Sequence, residues 1–252
     1  MGFIRLLYAM NKDLTKILCI ETSTEICSVI LTEAGKIIDQ LEDFSGMNHS
    51  KKLTQFIDDI LKRNQLKASD LSAVAVSEGP GSYTGLRIGV SAAKGICFAV
   101  NKPLIAISPL KAMTHHVLQT STILGFTPVT NDLLVPMIDA RRMEVYRAIF
   151  NRQLKTIRET EAVIVDEQTF AAELEHSRLL FFGNGAAKCK NIVHHTNALF
   201  IDGIITSAKN MAALAQTKFE LKEFADLAYF EPHYLKEFLA IKSTKNIFGL
   251  LS

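Results

Sequence analysis

Residues 71–109 constrain the fold of this chain more than any other stretch. They begin with a short apolar run rich in valine and alanine, residues 71–76, which predicts a buried strand. A glycine-rich turn follows at residues 78–82, and apolar side chains then recur at helical spacing over residues 84–100. A second apolar run, residues 104–107, comes directly after a proline. Strand, turn, long helix and strand form the repeating unit of parallel sheets, so the sequence predicts an α/β protein.

The predicted helix carries small side chains along one side. Gly85 and Gly89 lie four residues apart, and Ala92, Ala93 and Gly95 follow. A glycine inside a helix costs about 0.5 to 1 kcal/mol relative to alanine, so several of them require a compensating contact. Either the helix lies very close to its own sheet, or another helix, from this chain or from a partner, approaches the bare side. The residues alone leave both readings open.

The glycine-rich turn has some features of a phosphate-binding loop, because it leads into a helix N-terminus, where backbone N–H groups attract anions. Its distinctive residues are Gly79, Gly81, Ser82, Thr84 and Arg87. No Lys-Ser or Lys-Thr pair follows a glycine here, and the glycine spacing differs by one residue from the dinucleotide-binding pattern. The turn is therefore a weak phosphate signal, and a tight crossing of two backbone segments is the stronger prediction.

The segment before this unit completes a first lobe. Apolar runs at residues 17–20, 27–32 and from residue 37 predict a three-stranded meander, and residues 49–64 predict an amphipathic helix. From Leu133 the chain begins a second three-stranded meander, which indicates a duplicated lobe. The chain is accordingly divided into an N-terminal extension (1–16), a first lobe (17–108) and a second lobe with an extended basic C-terminal tail (109–252).

The second lobe is predicted to alternate strands and helices after its meander. The predicted strands are 134–138, 144–150, 156–165 and 179–182, and the predicted helices are 166–175 and 207–219. The tail is extended around Pro232 and ends in a basic stretch that includes Lys242 and Lys245. Met10 is an alternative start to Met1, because the first convincing strand begins only a few residues after it.

A hydroxyl-rich turn, Thr22, Ser23 and Thr24, separates the first two predicted strands. In the actin and sugar-kinase architecture a turn at this place contacts a nucleotide phosphate, and Glu21 occupies the position where those ATPases usually carry aspartate. Serine and threonine are also ordinary turn residues, which is the structural alternative. We therefore treat the three residues as a candidate nucleotide-side turn.

Composition excludes several classes of protein. The chain has 252 residues and 28 basic against 26 acidic side chains, a balance that provides no strong attraction for nucleic acid, so any RNA contact would be local or shared with a partner. The four cysteines form no Cys-x-x-Cys pair, which predicts reduced thiols and a cytoplasmic protein. The apolar residues near the N-terminus are interrupted by Arg5 and are too few for a membrane span.

The sequence shows no catalytic constellation of its own. The seven histidines lack His-Glu-x-x-His and His-x-x-x-His spacing, so no metal site is predicted. No Gly-x-Ser-x-Gly motif marks a nucleophile. Asp139, Arg141 and Glu144 cluster at a predicted hairpin, where structural ion pairing explains them as well as catalysis does.

Four blocks of the sequence together resemble the TsaB family, also called YeaZ. They are residues 17–24, the run Gly-Pro-Gly-Ser-Tyr-Thr-Gly-Leu-Arg-Ile-Gly at 79–89, residues 138–146 and the run Glu-Pro-His-Tyr-Leu at 231–235. The resemblance extends in order from about residue 17 to residue 236, and the second block is highly specific. It implies a two-lobe actin-like or sugar-kinase-like (ASKHA) α/β fold with duplicated mixed-sheet lobes.

The resemblance also implies a role. TsaB-like proteins are non-catalytic subunits in the synthesis of threonylcarbamoyladenosine beside the anticodon of tRNA. The related catalytic protein, TsaD, has a His-x-x-x-His metal pair after the strand that corresponds to residues 104–107, and here Pro109 and Met113 stand at those places. His115 and His116 come too late to replace them. The resemblance therefore implies a chain without catalytic residues, metal or cofactor of its own, with ATP or ADP held only within a complex.

The partners implied are homologues of TsaD and TsaE, tRNA indirectly through that complex, and a second copy when the chain is isolated. The predicted interface lies on the two helices of the first lobe and consists of Leu53, Phe56, Ile57, Ile60, Gly85, Gly89, Ala92 and Ala93. Two alternatives remain: an actin-like ATPase or kinase acting alone, and a glycoprotease-like metallopeptidase, which the absent metal histidines disfavour.

Overall fold

The protein folds around two five-stranded mixed sheets. The computed structural model describes residues 15–46 and 49–236. The strands of the first sheet are β1 (Lys16–Glu21), β2 (Cys27–Glu33), β3 (Lys36–Asp43), β4 (Ala73–Ser77) and β5 (Leu104–Ile107). Those of the second sheet are β6 (Leu133–Asp139), β7 (Glu144–Phe150), β8 (Thr156–Ile164), β9 (Leu179–Phe182) and β10 (Ala198–Ile201).

The two sheets have the same topology. The first has the order β3-β2-β1-β4-β5 and the second the order β8-β7-β6-β9-β10. In each sheet the first strand lies in the centre, pairs antiparallel with the meander on one side and pairs parallel with a later strand on the other. This repeat confirms the predicted fold class, an α/β protein with two duplicated mixed-sheet lobes.

The described part of the chain has five α-helices, of which the first four connect strands and the fifth follows the last strand. They are α1 (His49–Arg63), α2 (Tyr83–Val100), α3 (Pro109–Thr120), α4 (Ala171–Leu174) and α5 (Ala212–Leu221). The helix predicted at 166–175 is shorter, because Asp166 accepts hydrogen bonds from Gln168 N and from Thr169 Oγ1 and so holds residues 166–169 in a turn. Strand β10, an edge strand of four half-buried residues, was missed although its run Ala-Leu-Phe-Ile is apolar.

Both faces of the first sheet are apolar, and different segments cover them. Leu18 and Ile20 point to the side covered by α1 and α2, whereas Ile17 and Cys19 point to the opposite side. That second side is covered by α5 and the 3-10 turn before it, Ala208–Met211. The predicted division at residue 108 is therefore wrong for this later segment, because an α/β sheet needs a helical layer on each face.

Helix α3 packs instead on the second sheet, where Leu110, Met113 and Val117 share a core with Leu134 and Ile138. The predicted N-terminal extension lies mostly outside the described residues. Thr15 and Lys16 are described and already belong to the first lobe, since Ala34 N donates to Thr15 O and β1 begins at Lys16. Lys242 and Lys245 of the predicted basic tail also lie outside the described residues.

Candidate functional site

The first turn of α2 lies directly on the turn between β1 and β2. A Cβ atom built on Gly81 would be 2.2 Å from Ser23 O, and one on Gly85 would be 2.1 Å from Thr22 O. Such distances leave room only for glycine. Ser82 N donates to Ser23 O at 2.6 Å, and Thr22 Oγ1 donates to Gly85 O at 2.8 Å. The predicted tight backbone crossing is thus present and is held by hydrogen bonds.

The same close approach continues along α2. A Cβ atom on Gly89 would be 2.3 Å from Thr22 Oγ1. Gly85 and Gly89 therefore face the chain's own sheet, and the prediction that they face a partner is wrong. Ala93 is fully buried at the same core, whereas Ala92 is only partly buried and retains some accessible surface.

The apolar side of α1 is also used within the chain. The four predicted interface residues on this helix are all buried: Leu53, Phe56, Ile57 and Ile60. They pack in one core with Leu18, Ile20 and Val29 of the first sheet. The prediction that they bind a partner is wrong, because an apolar stripe on a helix is what covers the sheet beneath it.

The candidate nucleotide-side turn is closed. Thr22, Ser23 and Thr24 are buried, and Thr24 Oγ1 lies 2.6 Å from Thr206 Oγ1. Since Thr22 Oγ1 is bonded to Gly85 O, two of the three hydroxyl groups already have partners within the protein. A phosphate at this turn would have to displace those contacts together with the first turn of α2.

The carboxyl group of Glu21 stabilises the turn between β1 and β2. Its Oε1 accepts a hydrogen bond from Ser23 N at 2.6 Å, and its Oε2 accepts one from Ser77 Oγ on β4. Burial raises the pKa of Glu21, although the bonds from Ser77 and Ser23 oppose this rise. The carboxyl group therefore joins neighbouring backbone segments and is shielded from solvent.

The C-terminal strap, which we define as residues 225–236, runs over the glycine-rich turn. Lys94 Nζ on α2 donates to Ala228 O at 3.2 Å and to Phe230 O at 2.9 Å. His233 N donates to Glu78 O at 2.6 Å. Gly79 has φ +101° and would bring a Cβ atom within 2.7 Å of His233 O, so this position needs glycine both for its backbone and for the strap.

The end of the strap reaches the second lobe. The Tyr83 and Tyr234 rings lie 4.8 Å apart, and Arg87 lies 4.5 Å from the Tyr83 ring. Lys236 forms an ion pair with Glu144 at the start of β7. The segment 231–235, which the sequence singled out, thus links the glycine-rich turn to the second sheet.

The outer face of α2, which we define as Arg87, Ser91, Gly95 and Phe98, is exposed. Phe98 is 82% exposed, and a Cβ atom on Gly95 would meet nothing within 4 Å. Phe98 is one of twelve large apolar side chains exposed in the described residues, and it lies beside a helix surface that has no side chain at Gly95. The sequence contained a signal for it, because Phe98 lies out of phase with the apolar stripe of the helix.

The charged hairpin between β6 and β7 is explained by ion pairs. Asp139 pairs with Lys188, and Glu144 pairs with Lys236.

Across residues 15–46 and 49–236, no three histidine, cysteine, aspartate or glutamate side chains gather as a metal site. Nor does any helix in these two ranges have the length and apolar character required to cross a bilayer.

Comparison with known proteins shows similarity along almost the whole chain. A family model described as "TsaD: tRNA N6-adenosine threonylcarbamoyltransferase" matches residues 42–246. The Haemophilus influenzae "tRNA threonylcarbamoyladenosine biosynthesis protein TsaB" is 30% identical over 229 residues, which cover 87% of this chain and 93% of that protein. The Escherichia coli protein of the same name is 29% identical over 239 residues, covering 90% and 97%.

The solved structures and the partial matches agree with this. "YeaZ from Pseudomonas aeruginosa" superposes with a TM-score of 0.72 at 23% identity and covers 88% of this chain and all of that one. A Staphylococcus saprophyticus "tRNA N6-adenosine threonylcarbamoyltransferase" is 34% identical over 121 residues, which are only 42% of this chain and 33% of that protein. The individual proteins that match most of the chain are thus TsaB proteins, whereas this individual transferase matches less than half of it, although the transferase family model extends over residues 42–246. The chain belongs to the TsaB (YeaZ) family.

Proposed function

We propose that this chain is a non-catalytic subunit for the synthesis of threonylcarbamoyladenosine on tRNA, which acts by binding a TsaD-type transferase and helping to recruit a TsaE-type ATPase. The TsaB relatives that match nearly its whole length support the pathway. The chain contributes no metal or cofactor, and tRNA contacts it only through the complex. It acts in the cytoplasm, consistent with four buried free cysteines.

The packing of α3 supports the absence of transfer chemistry. By the resemblance to TsaD, Pro109 and Met113 stand where metal-binding histidines would be. Pro109 is buried in the first turn of α3, and Met113 is fully buried in the core against the second sheet. A metal centre needs ligands that reach an open coordination site, and these two positions instead fill an apolar core.

The observation that carries the proposed binding is the outer face of α2. Phe98 is 82% exposed beside Gly95, which has open space around it. A partner helix can approach closely over the glycine and bury the phenyl ring, a contact worth about 2 to 3 kcal/mol. This face replaces the buried residues that the sequence had suggested as the interface.

The partial similarity to the transferases supports a particular arrangement. The TsaD family model matches residues 42–246, which include α2, so a TsaD-type protein is expected to offer a comparable helix. Two related faces can pair about an approximate two-fold axis. The same face would also join two copies of this chain when the transferase is absent, so isolated chain is expected to dimerise through Phe98.

A pair of charge substitutions tests the docking. Phe98→Glu places a charge at the centre of the proposed interface and is expected to weaken binding to the TsaD-type transferase at least about tenfold, because the charge would be buried without a partner. Ile164→Glu is the matched control, since Ile164 is 71% exposed on β8 of the other lobe. Binding is measured by calorimetry, and modification of tRNA is measured with purified components.

The result that contradicts the proposal is equal affinity for both variants and the unsubstituted chain. Modification of tRNA that proceeds equally well without the chain would remove the functional role as well. An ATPase or kinase acting alone is not favoured, because the hydroxyl groups of Thr22 and Thr24 are already bonded within the protein. Steady ATP turnover by the isolated chain would reverse that judgement.

A further inference from the structure

A cavity of about 370 Å³ lies between the two lobes, at the end of the first sheet away from the glycine-rich turn. It is formed by the β2–β3 hairpin, the second half of α3 and the start of α5. Its volume lies within the range of small-molecule sites and is about ten times the share of one water molecule. Because α3 packs on the second sheet and α5 on the first, the cavity walls come from both lobes.

The charged groups in the cavity wall are cationic. Lys36 and Lys209 line it, together with the adjacent His115 and His116, and no carboxylate is among its lining residues in the described chain. The nearby Glu33 is paired with Lys16 at 2.8 Å and so does not neutralise the cavity lysines directly. Such a wall attracts an anion.

Asn210 also lies in the cavity wall. It is 4% exposed, and its Nδ2 donates to Ile205 O at 2.8 Å, which fixes the orientation of the amide. Its Oδ1 is closed to solvent and has no donor among the described residues, so a ligand in the cavity contacts the other polar groups of the wall and not this atom.

We propose that this cavity binds a small phosphorylated molecule whose phosphate contacts Lys36 and Lys209. The two histidines supply further ring nitrogens on the α3 side. Burial lowers the pKa of His115 and of His116, and the charge of Lys209 adds to the effect on His116, so both are neutral donors or acceptors at pH 7. A ligand here contacts elements of both lobes and would hold them together.

The test uses the full-length isolated chain and four probes: inorganic phosphate, ribose 5-phosphate, AMP and adenosine. Calorimetry measures affinity, and NMR follows the Cε1 protons of His115 and His116. Binding of ribose 5-phosphate and AMP with shifts of both histidine signals is expected, while adenosine, which lacks the phosphate, should not bind. Preference for AMP over ribose 5-phosphate identifies a nucleotide, and equal affinity identifies a sugar phosphate.

Two variants locate the site. Lys209→Gln is expected to weaken binding of the phosphate-bearing probes at least about tenfold, since it removes a charge-assisted hydrogen bond. Lys111→Gln is the control, because Lys111 is exposed on the same helix as the histidines but does not line the cavity. Thermal unfolding confirms that both variants fold.

Absence of binding by every phosphate-bearing probe at millimolar concentration would overturn the proposal, as would equal weakening by the two variants. Neither result would bear on docking to the transferase, which is measured on a different face with Phe98→Glu.

Discussion

Replacing Gly85 by alanine tests the closest contact in the first lobe. The added Cβ atom would lie 2.1 Å from Thr22 O, a backbone atom that cannot rotate away. The start of α2 and the β1–β2 turn would have to separate by at least about 1.3 Å to reach an ordinary contact distance. The hydrogen bond from Thr22 Oγ1 to Gly85 O, now 2.8 Å, would lengthen with them.

Two effects of the Gly85→Ala substitution lower the free energy of unfolding, and one raises it. Overpacking of this kind costs about 1 to 3 kcal/mol, and a backbone obstacle puts Gly85 at the upper end. The weakened hydrogen bond adds about 1 kcal/mol, whereas the better helix propensity of alanine returns about 1 kcal/mol. The free energy of unfolding should therefore fall by about 3 kcal/mol.

Gly95→Ala in the same helix provides the matched control. A Cβ atom there would meet nothing within 4 Å, so only the propensity remains and the free energy of unfolding should rise by about 0.5 to 1 kcal/mol. Urea denaturation followed by circular dichroism measures both variants. If both alanines stabilised the protein to the same extent, the close approach of α2 to the β1–β2 turn would be refuted.

Three further predictions concern buried ionisable groups. Burial raises the pKa of Cys19 from 9.0 to about 12, so its thiol should resist thiol reagents in the native protein. Its contribution to the free energy of unfolding should be lost as the pH rises above 9, which alkaline unfolding experiments measure. Because the pKa values of His115 and His116 are lowered in the folded protein, the unfolded chain binds more protons than the folded chain below pH 6.5. Their contribution to the free energy of unfolding should therefore be lost as the pH falls below 6.5, and the urea midpoint measures this loss. Glu21→Gln should leave the free energy of unfolding at pH 7 unchanged or higher, because the amide keeps an acceptor without the buried charge. Glu21→Asp should lower it by about 1 to 3 kcal/mol, because the shorter side chain cannot reach both Ser23 N and Ser77 Oγ. A large loss in Glu21→Gln would show that the charge itself is needed.

The sequence predicted those elements whose pattern is local. The long helix expected at 84–100 is α2, Tyr83–Val100, and the strand at 104–107 has the predicted bounds. Both depend on the spacing of neighbouring apolar residues and on the turn and proline that separate them. The duplication of the meander was predictable for the same reason, because the two copies show the same order of apolar runs.

The sequence did not predict which helix packs on which sheet. The sequence places α5 after the second lobe, yet Met211, Ala212 and Ala215 pack on the first sheet. Periodicity shows that a helix has an apolar side but not which sheet it meets, since that depends on contacts between residues far apart in the chain. The cavity beside Asn210 was missed for this reason, because its walls come from three separate segments.

The same limit explains why the interface residues were chosen wrongly and where a better signal lies. An apolar residue in phase with its helix stripe is fully accounted for by the sheet beneath, as Phe56 and Ile60 are on α1. An apolar residue outside the buried stripe of its helix has no such explanation, because its side chain remains in water and does not stabilise the isolated chain by burial. Phe98 is such a residue, at 82% exposure and outside the buried stripe of α2 that contains Val90 and Cys97. Since the inner helix faces of this lobe are already used, the docking that we propose takes place on an outer face, and the binding measurement with Phe98→Glu tests it.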